Sequence, residues 1–128
     1  MKPVIETLTD IFKALSDKTR LRIFWILRKA MCELCVCEII DAVEENQYNV
    51  SRHLKILKYA GLVKENKQGR FVYYSITKPA DKIHKIILDL FSTISGDVFD
   101  ADAKKLKKRL SLRENGKCII GMHGKRIK

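Results

Sequence analysis

Residues 46–76, NQYNVSRHLKILKYAGLVKENKQGRFVYYSI, leave this chain few folds to choose from. Asn46-Gln47 signals a helix start, and Val50, Leu54 and Leu57 recur at i, i+4 and i+7. At 100° per residue these three lie within about 60° of one another. An amphipathic helix therefore runs to Tyr59, with Tyr48, Arg52, Lys55 and Tyr59 on its opposite face. Gly61 supplies the C-terminal stop. Two β-prone runs follow, 62–65 and 71–76, on either side of the turn Asn66-Lys67-Gln68-Gly69, which predicts a hairpin.

The flanking sequence is helical. Ile5, Leu8, Ile11, Phe12 and Leu15 mark a helix over 4–15, and Ser16-Asp17 breaks it and caps the next. Residues 18–29 carry Leu21, Ile23, Phe24, Trp25, Ile26 and Leu27, apolar over so much of the circumference that this helix belongs at the buried centre. Residues 35–43 read as a short helix. Residues 81–94 form a long amphipathic one, with Ile83, Ile86, Ile87, Leu90, Phe91 and Ile94 on a stripe wider than a small core can cover. The fold class is mostly α with a small β-hairpin, in the order α-α-α-α-β-β-α. Gly96 marks a boundary: residues 1–95 make one domain and 96–128 a basic, weakly patterned extension.

A short helix, a tight connection and a polar-faced second helix make a helix-turn-helix, and the hairpin adds a wing. With 128 residues and a net charge of +11, the chain favours a polyanionic partner. Ten of the 26 Lys and Arg fall in residues 101–128, beside two acids, as a solvated arm adding DNA affinity or as a solubilising terminus. No apolar run approaches the roughly 18 residues that span a bilayer, and no signal-peptide core opens the chain, so the expectation is a cytoplasmic protein without a membrane partner. Gln47 and Asn49 suit adenine, Arg52 suits guanine, and Ser51 and Lys55 suit phosphates, with Tyr48 on the same face. Lys64, Lys67, Gln68 and Arg70 surround Gly69 at the hairpin tip, a ribbon for a flanking phosphate or the minor groove. The expected partner is a double-stranded DNA operator; an architectural protein without sequence preference is the alternative. No nucleophile–base–orienter set and no phosphate loop is present, which argues against an enzyme.

These residues resemble the ArsR/SmtB family of regulators. The run S-R-H-L-K-I-L, the exit A-G-L-V and the hairpin K-Q-G-R-x-V-x-Y are similar to its reading helix and wing. A-L-S-D-K-T-R-L-R-I (14–23) is similar to its opening helices, and E-L-C-V-C-E-I (33–39) to the thiolate motif of its arsenic- and cadmium-sensing members. The resemblance covers residues 5–94. It implies a homodimer built on the first and last long helices, repression relieved by a ligand, and DNA contacts from Gln47, Ser51, Arg52 and His53. Helical geometry sets His53 at the edge of the apolar face, so it ranks below the others.

Cys32, Cys35 and Cys37 fall within six residues, and thiolates are the soft ligands that arsenic, cadmium, lead, zinc or copper(I) take. The family's C-x-C-x-x-C pattern matches Cys35 and Cys37, but its third position is Ile40, and Cys32 lies upstream instead. On an ideal helix Cys35 and Cys37 would be about 200° apart, so convergence is expected to need local unwinding. No cofactor is required; a soft metal or metalloid ion is the expected inducer. Two further readings stay open: a reversible Cys32–Cys35 disulfide in a thiol redox or sulfur-species sensor, and cysteines that are simply buried. Cys118 is a fourth ligand, a resolving thiol or neither. Asp81 and His84 do not match the spacing of the family's other metal site, and His123 carries no reading.

Overall fold

The computed structural model describes residues 2–119 and 121; His123 and the last basic residues, Lys125, Arg126 and Lys128, lie outside the described residues. Each helix starts and stops for a local reason. Asp17 accepts from the Arg20 amide (3.0 Å) and separates α1 (Val4–Ala14) from α2 (Lys18–Ala30). Asn46 accepts from the Asn49 amide (2.8 Å) and opens α4 (Gln47–Tyr59), directly after α3 (Val36–Val43). Gly61, at φ +76°, takes the left-handed conformation that turns the chain out of α4. Strands β2 (Val63–Gln68) and β3 (Phe71–Ile76) pair antiparallel from Val63↔Ile76 to Gln68↔Phe71. The hairpin is therefore longer and tighter than expected, and its turn is only Gly69-Arg70, with Gly69 at φ +60°. Asp81 caps α5 (Lys82–Ser92).

Two elements lay beyond the sequence reading. Strand β1 (Leu34–Cys35) pairs with β3 at Leu34↔Tyr74 and Cys35↔Tyr73, giving a three-stranded antiparallel sheet in the order β1-β3-β2. Helix α6 (Asp97–Leu110) forms where a weakly patterned arm was expected. Its Leu106 is buried, and Phe99, Ala103 and Leu110 pack against the core.

The core gathers Ile11, Ile23, Phe24, Leu27, Ile39, Leu54 and Leu57, each fully buried. Phe24 meets the Phe91 ring edge-on at 4.7 Å, fixing α5 against α2. Trp25 Nε1 donates to the Ile94 carbonyl (2.9 Å) and its ring tilts against Phe99. Helix α6 is held by charge. Arg22 donates twice to the fully buried Asp102 carboxylate (2.8 and 2.9 Å) and once to the Val43 carbonyl (2.8 Å). Along α3, three ion pairs run one turn apart and in opposite directions: Lys105–Glu44, Arg109–Asp41 (2.7 Å) and Arg113–Glu38 (2.7 Å). The two helices are thus antiparallel, and the segment after α6 returns to the N-terminus of α3. Among the described residues no helix is long and apolar enough to cross a membrane.

Candidate metal centre and nucleic-acid interface

Helix α4 presents Gln47, Ser51 and Lys55 at four-residue intervals, a single stripe, with Tyr48 and Arg52 exposed beside it. Asn49 is half-buried, its amide donating to Glu45 (3.1 Å). Val50, Leu54 and Leu57 turn inward as their spacing requires. His53 turns inward with them and is 5% exposed, apart from the exposed stripe. Its Nδ1 lies 3.0 Å from Arg20 Nη1 and its Nε2 3.9 Å from Asp17, so the ring braces α4 against the start of α2. Burial lowers the His53 pKa, and Arg52 and Arg20 lower it further, against Asp17 and Glu45, which raise it. As the pH falls through about 6.5 the unfolded chain takes up this proton before the folded one, so the fold loses stability in acid. Urea midpoints should fall between pH 7 and pH 5.5, and His53→Gln should flatten that slope; an unchanged slope would show that the ring titrates freely.

On the wing, Lys64, Lys67 and Arg70 are exposed, but Lys64 pairs with Ser75 near the base of the hairpin and not at its tip, because β2 runs on to Gln68. Gln68 is not presented in the same way. Its Nε2 donates to Glu33 Oε1 (2.6 Å) and its Oε1 accepts from Lys117 Nζ (2.7 Å). Gln68 therefore ties the wing both to the connection before α3 and to the turn after α6.

The cysteines converge in an arrangement different from the expected one. Cys35 is the N-cap of α3, extended at φ −67° and ψ 145°, and belongs to β1. The angular separation expected on a helix does not arise, and no unwinding is needed to bring Cys35 to Cys37. Their sulfurs lie 2.8 Å apart, and Cys118 Sγ is 3.4 Å from Cys37 Sγ. All three fall within 4.8 Å of one another. Cys32 is exposed and stands outside this group.

Tertiary contacts deliver Cys118. Arg113, just past α6, donates twice to the fully buried Glu38 carboxylate (2.7 Å each) and to the Glu33 carbonyl (2.9 Å). The Cys118 amide donates to the Tyr73 hydroxyl (3.1 Å), and Arg109 Nη2 lies 3.9 Å from Cys118 Sγ. Glu38 in turn accepts from the Cys35 amide (2.8 Å), so one carboxylate positions both the cap of α3 and the returning segment. Sequence reasoning missed Glu38, Tyr73, Arg109 and Arg113. The spacing of Phe99, Ala103, Leu106 and Leu110 is the overlooked helical signal from which α6 could have been read.

Hydrogen bonding with Cys118 pushes the Cys35 thiol up to about 12, with burial adding to it; Cys37 is pushed up by Cys118, by Cys35 and by burial. A bound ion would have to displace these protons, as a soft Lewis acid does. The donor set fits such an ion: three sulfurs, converging and shielded from water. Thiolates bonded to one ion at about 2.3 Å stand roughly 3.8 Å apart in a tetrahedral frame, so a displacement of about 1 Å or less separates this cluster from a ligating one. Among the described residues no fourth Cys, His or carboxylate joins the group.

The thiols and the stripe on α4 share one cleft of about 350 Å³. Cys35 and Cys37 lie on its α3 side, Gln47, Ser51 and Lys55 on its α4 side, and Arg70 and Phe71 on the wing side.

Residues 17–65 match the family described as bacterial regulatory protein, arsR family. The chain is 44% identical over 66 residues to a cadmium resistance transcriptional regulatory protein CadC homolog of Staphylococcus aureus, covering 52% of this chain and 54% of that protein. It is 42% identical over 68 residues to the arsenical resistance operon repressor of Escherichia coli, covering 53% of this chain and 57% of that protein. The chain thus spans little more than half the length of these two relatives. A third, the uncharacterized HTH-type transcriptional regulator MJ1325 of Methanocaldococcus jannaschii, is 43% identical over 82 residues, covering 64% of this chain and 89% of that one. Among solved structures, HlyU from Vibrio cholerae superposes with a TM-score of 0.60 at 28% identity, over 70% of this chain and 92% of that one. The homodimeric winged helix-turn-helix DNA-binding domain of Mb0332 from Mycobacterium bovis gives 0.58 at 28%, over 70% and 75%. With the winged helix-turn-helix architecture in place and most of one relative's length matched, the chain belongs to the arsR family of bacterial regulatory proteins.

Proposed function

We propose that the chain is a homodimeric, sequence-specific DNA-binding repressor that leaves its operator when a soft metal or metalloid ion binds Cys35, Cys37 and Cys118. The observation that carries this reading is the convergence of three sulfurs at the N-terminus of α3, the helix that leads directly into α4. Names of relatives support it: one is a cadmium resistance regulator and another an arsenical resistance repressor. Tyr48, Arg52 and the Gln47–Ser51–Lys55 stripe form the reading face, and Lys67 and Arg70 reach flanking phosphates.

An ion that draws the sulfurs apart shifts α3 and the turn holding Cys118 together. A hundredfold loss of DNA affinity requires about 2.7 kcal/mol of coupling. Arsenite or cadmium should produce such a loss in a fluorescence anisotropy titration. The Cys35→Ser/Cys37→Ser variant should bind DNA as the parent does and ignore both ions. Arg52→Ala should cost about 1–3 kcal/mol at the specific site. A double variant that still responds, or an Arg52→Ala that binds every duplex unchanged, removes the basis of this assignment. The sulfur separations of 2.8 and 3.4 Å also favour an oxidative reading, in which a disulfide within this cluster replaces the ion. Any monothiol reductant would reverse that release, whereas release by arsenite needs a chelating dithiol.

The dimer rests on two uncovered apolar faces. Val4, Ile5 and Phe12 on α1 are 62%, 74% and 59% exposed, and Ile86 and Leu90 on α5 are 57% and 53% exposed. A second copy is the occupant, consistent with the homodimeric Mb0332 domain. Sedimentation should show a dimer at micromolar concentration, and Ile86→Glu/Leu90→Glu should reduce it to a folded monomer. A parent protein that sediments as a monomer would remove this arrangement.

A further inference from the structure

The three sulfurs are almost closed off. Cys35 is 2% exposed, Cys118 4% and Cys37 9%. Cys35 and Cys37 line the open cleft of about 350 Å³. The walls of that cleft are not neutral with respect to DNA. One wall is the Gln47–Ser51–Lys55 stripe of α4, and another is strand β3 of the wing, from Arg70 at the turn through Phe71, Val72 and Tyr74. A duplex that takes α4 in its groove and the wing on its backbone lies across both walls together, over the opening between them.

On the proposed DNA-binding role of α4 and the wing, we infer that duplex DNA is the lid of the thiol centre: the cleft between α3, α4 and the wing is the port through which a soft ion reaches Cys35, Cys37 and Cys118, and the protein loads when it is off DNA. The ion then acts by capturing the free protein rather than by entering the complex. This differs from an ion that binds the DNA-bound form and drives it off. The two agree in equilibrium coupling, which is reciprocal in either case, but they differ in rate. If the port is closed, the loading rate of the complex cannot exceed the rate at which DNA leaves.

The molecule carries its own control. Cys32 is exposed and lines a different groove, of about 950 Å³, beside Lys85 and Asp89 of α5. Its reactivity should be indifferent to a duplex seated on α4.

The test is stopped-flow formation of the cadmium–thiolate absorbance in the Cys32→Ser dimer, with and without a saturating mixed-sequence duplex of about 30 base pairs at low salt, where charge alone holds DNA. Without duplex the observed rate should rise linearly with cadmium. With duplex it should fall at least about tenfold and level off at the DNA dissociation rate, measured separately by chasing labelled duplex with unlabelled. In the parent, the rate at which a small maleimide labels Cys32 should be the same in both states. A rate that stays linear in cadmium and equals the DNA-free rate, while anisotropy shows the duplex bound, overturns the lid and leaves the DNA-binding reading intact. Failure of the protein to bind any duplex overturns both.

Discussion

Replacing Cys118 with serine is expected to weaken the response of DNA binding to arsenite and cadmium by more than about a hundredfold, whereas Cys32→Ser leaves it unchanged. The spacing of the cysteines in sequence favours the opposite outcome, because Cys32, Cys35 and Cys37 are neighbours and Cys118 is remote. In the fold, Cys118 Sγ approaches Cys37 Sγ to 3.4 Å while Cys32 remains in solvent. Loss of an outer-shell partner already costs about 10–100-fold in metal affinity, and loss of one of three thiolates should cost more. Arsenite-induced release should therefore move to concentrations over about a hundredfold higher in Cys118→Ser. DNA affinity without the ion should be unaffected, because Cys118 lies after α6, outside the proposed reading face. If Cys118→Ser titrates like the parent and Cys32→Ser does not, the centre assembles from the N-terminal trio after a rearrangement absent from this structure.

The second large effect concerns stability. Arg113→Met should lower the free energy of unfolding by about 3–5 kcal/mol, because it strands the Glu38 carboxylate, which is fully buried, without its cation. That is a large share of the 5–15 kcal/mol typical of a domain. Urea denaturation at fixed protein concentration measures it, and the concentration must be held because the dimer contributes to stability. Adding Glu38→Gln to Arg113→Met should recover part of the loss, since a buried amide without a partner costs less than a buried charge. Lys105→Met, at the exposed end of the same row of ion pairs, should have little measurable effect. Equal losses in the two single variants would show that burial of the carboxylate is not what makes the pair matter.

Periodicity carried most of this fold into view. Val50, Leu54 and Leu57 fixed the facing of α4, Asp17, Asn46 and Asp81 marked three helix starts, and 71–76 marked β3 to the residue. What stayed hidden depends on distant partners. Strand β1 is two residues long and exists because Tyr73 and Tyr74 pair with it. Helix α6 buries Asp102 and Arg109, which read as surface residues until Arg22 and Asp41 are seen to neutralise them. In the candidate site, Cys35 and Cys37 could be read from type and spacing. Cys118 could not, since its position is set by Arg113, Tyr73 and Glu38. The inward turn of His53 follows from its place at the edge of the apolar face of α4, and its partner Arg20 from the packing of α2.

The row of ion pairs between α6 and α3 also separates how DNA binding and the assembly of the thiol cluster feel ionic strength. Contacts to DNA phosphates sit in solvent and weaken steeply with added salt through counterion release. Arg113–Glu38 and Arg109–Asp41 are shielded, with the carboxylate side chains 0% and 15% exposed, and mobile ions screen such pairs far less. Rising potassium therefore loosens the hold on DNA while Cys118 stays seated against Cys37. On the proposed function, an osmotic upshift would weaken DNA binding while the three sulfurs stay assembled.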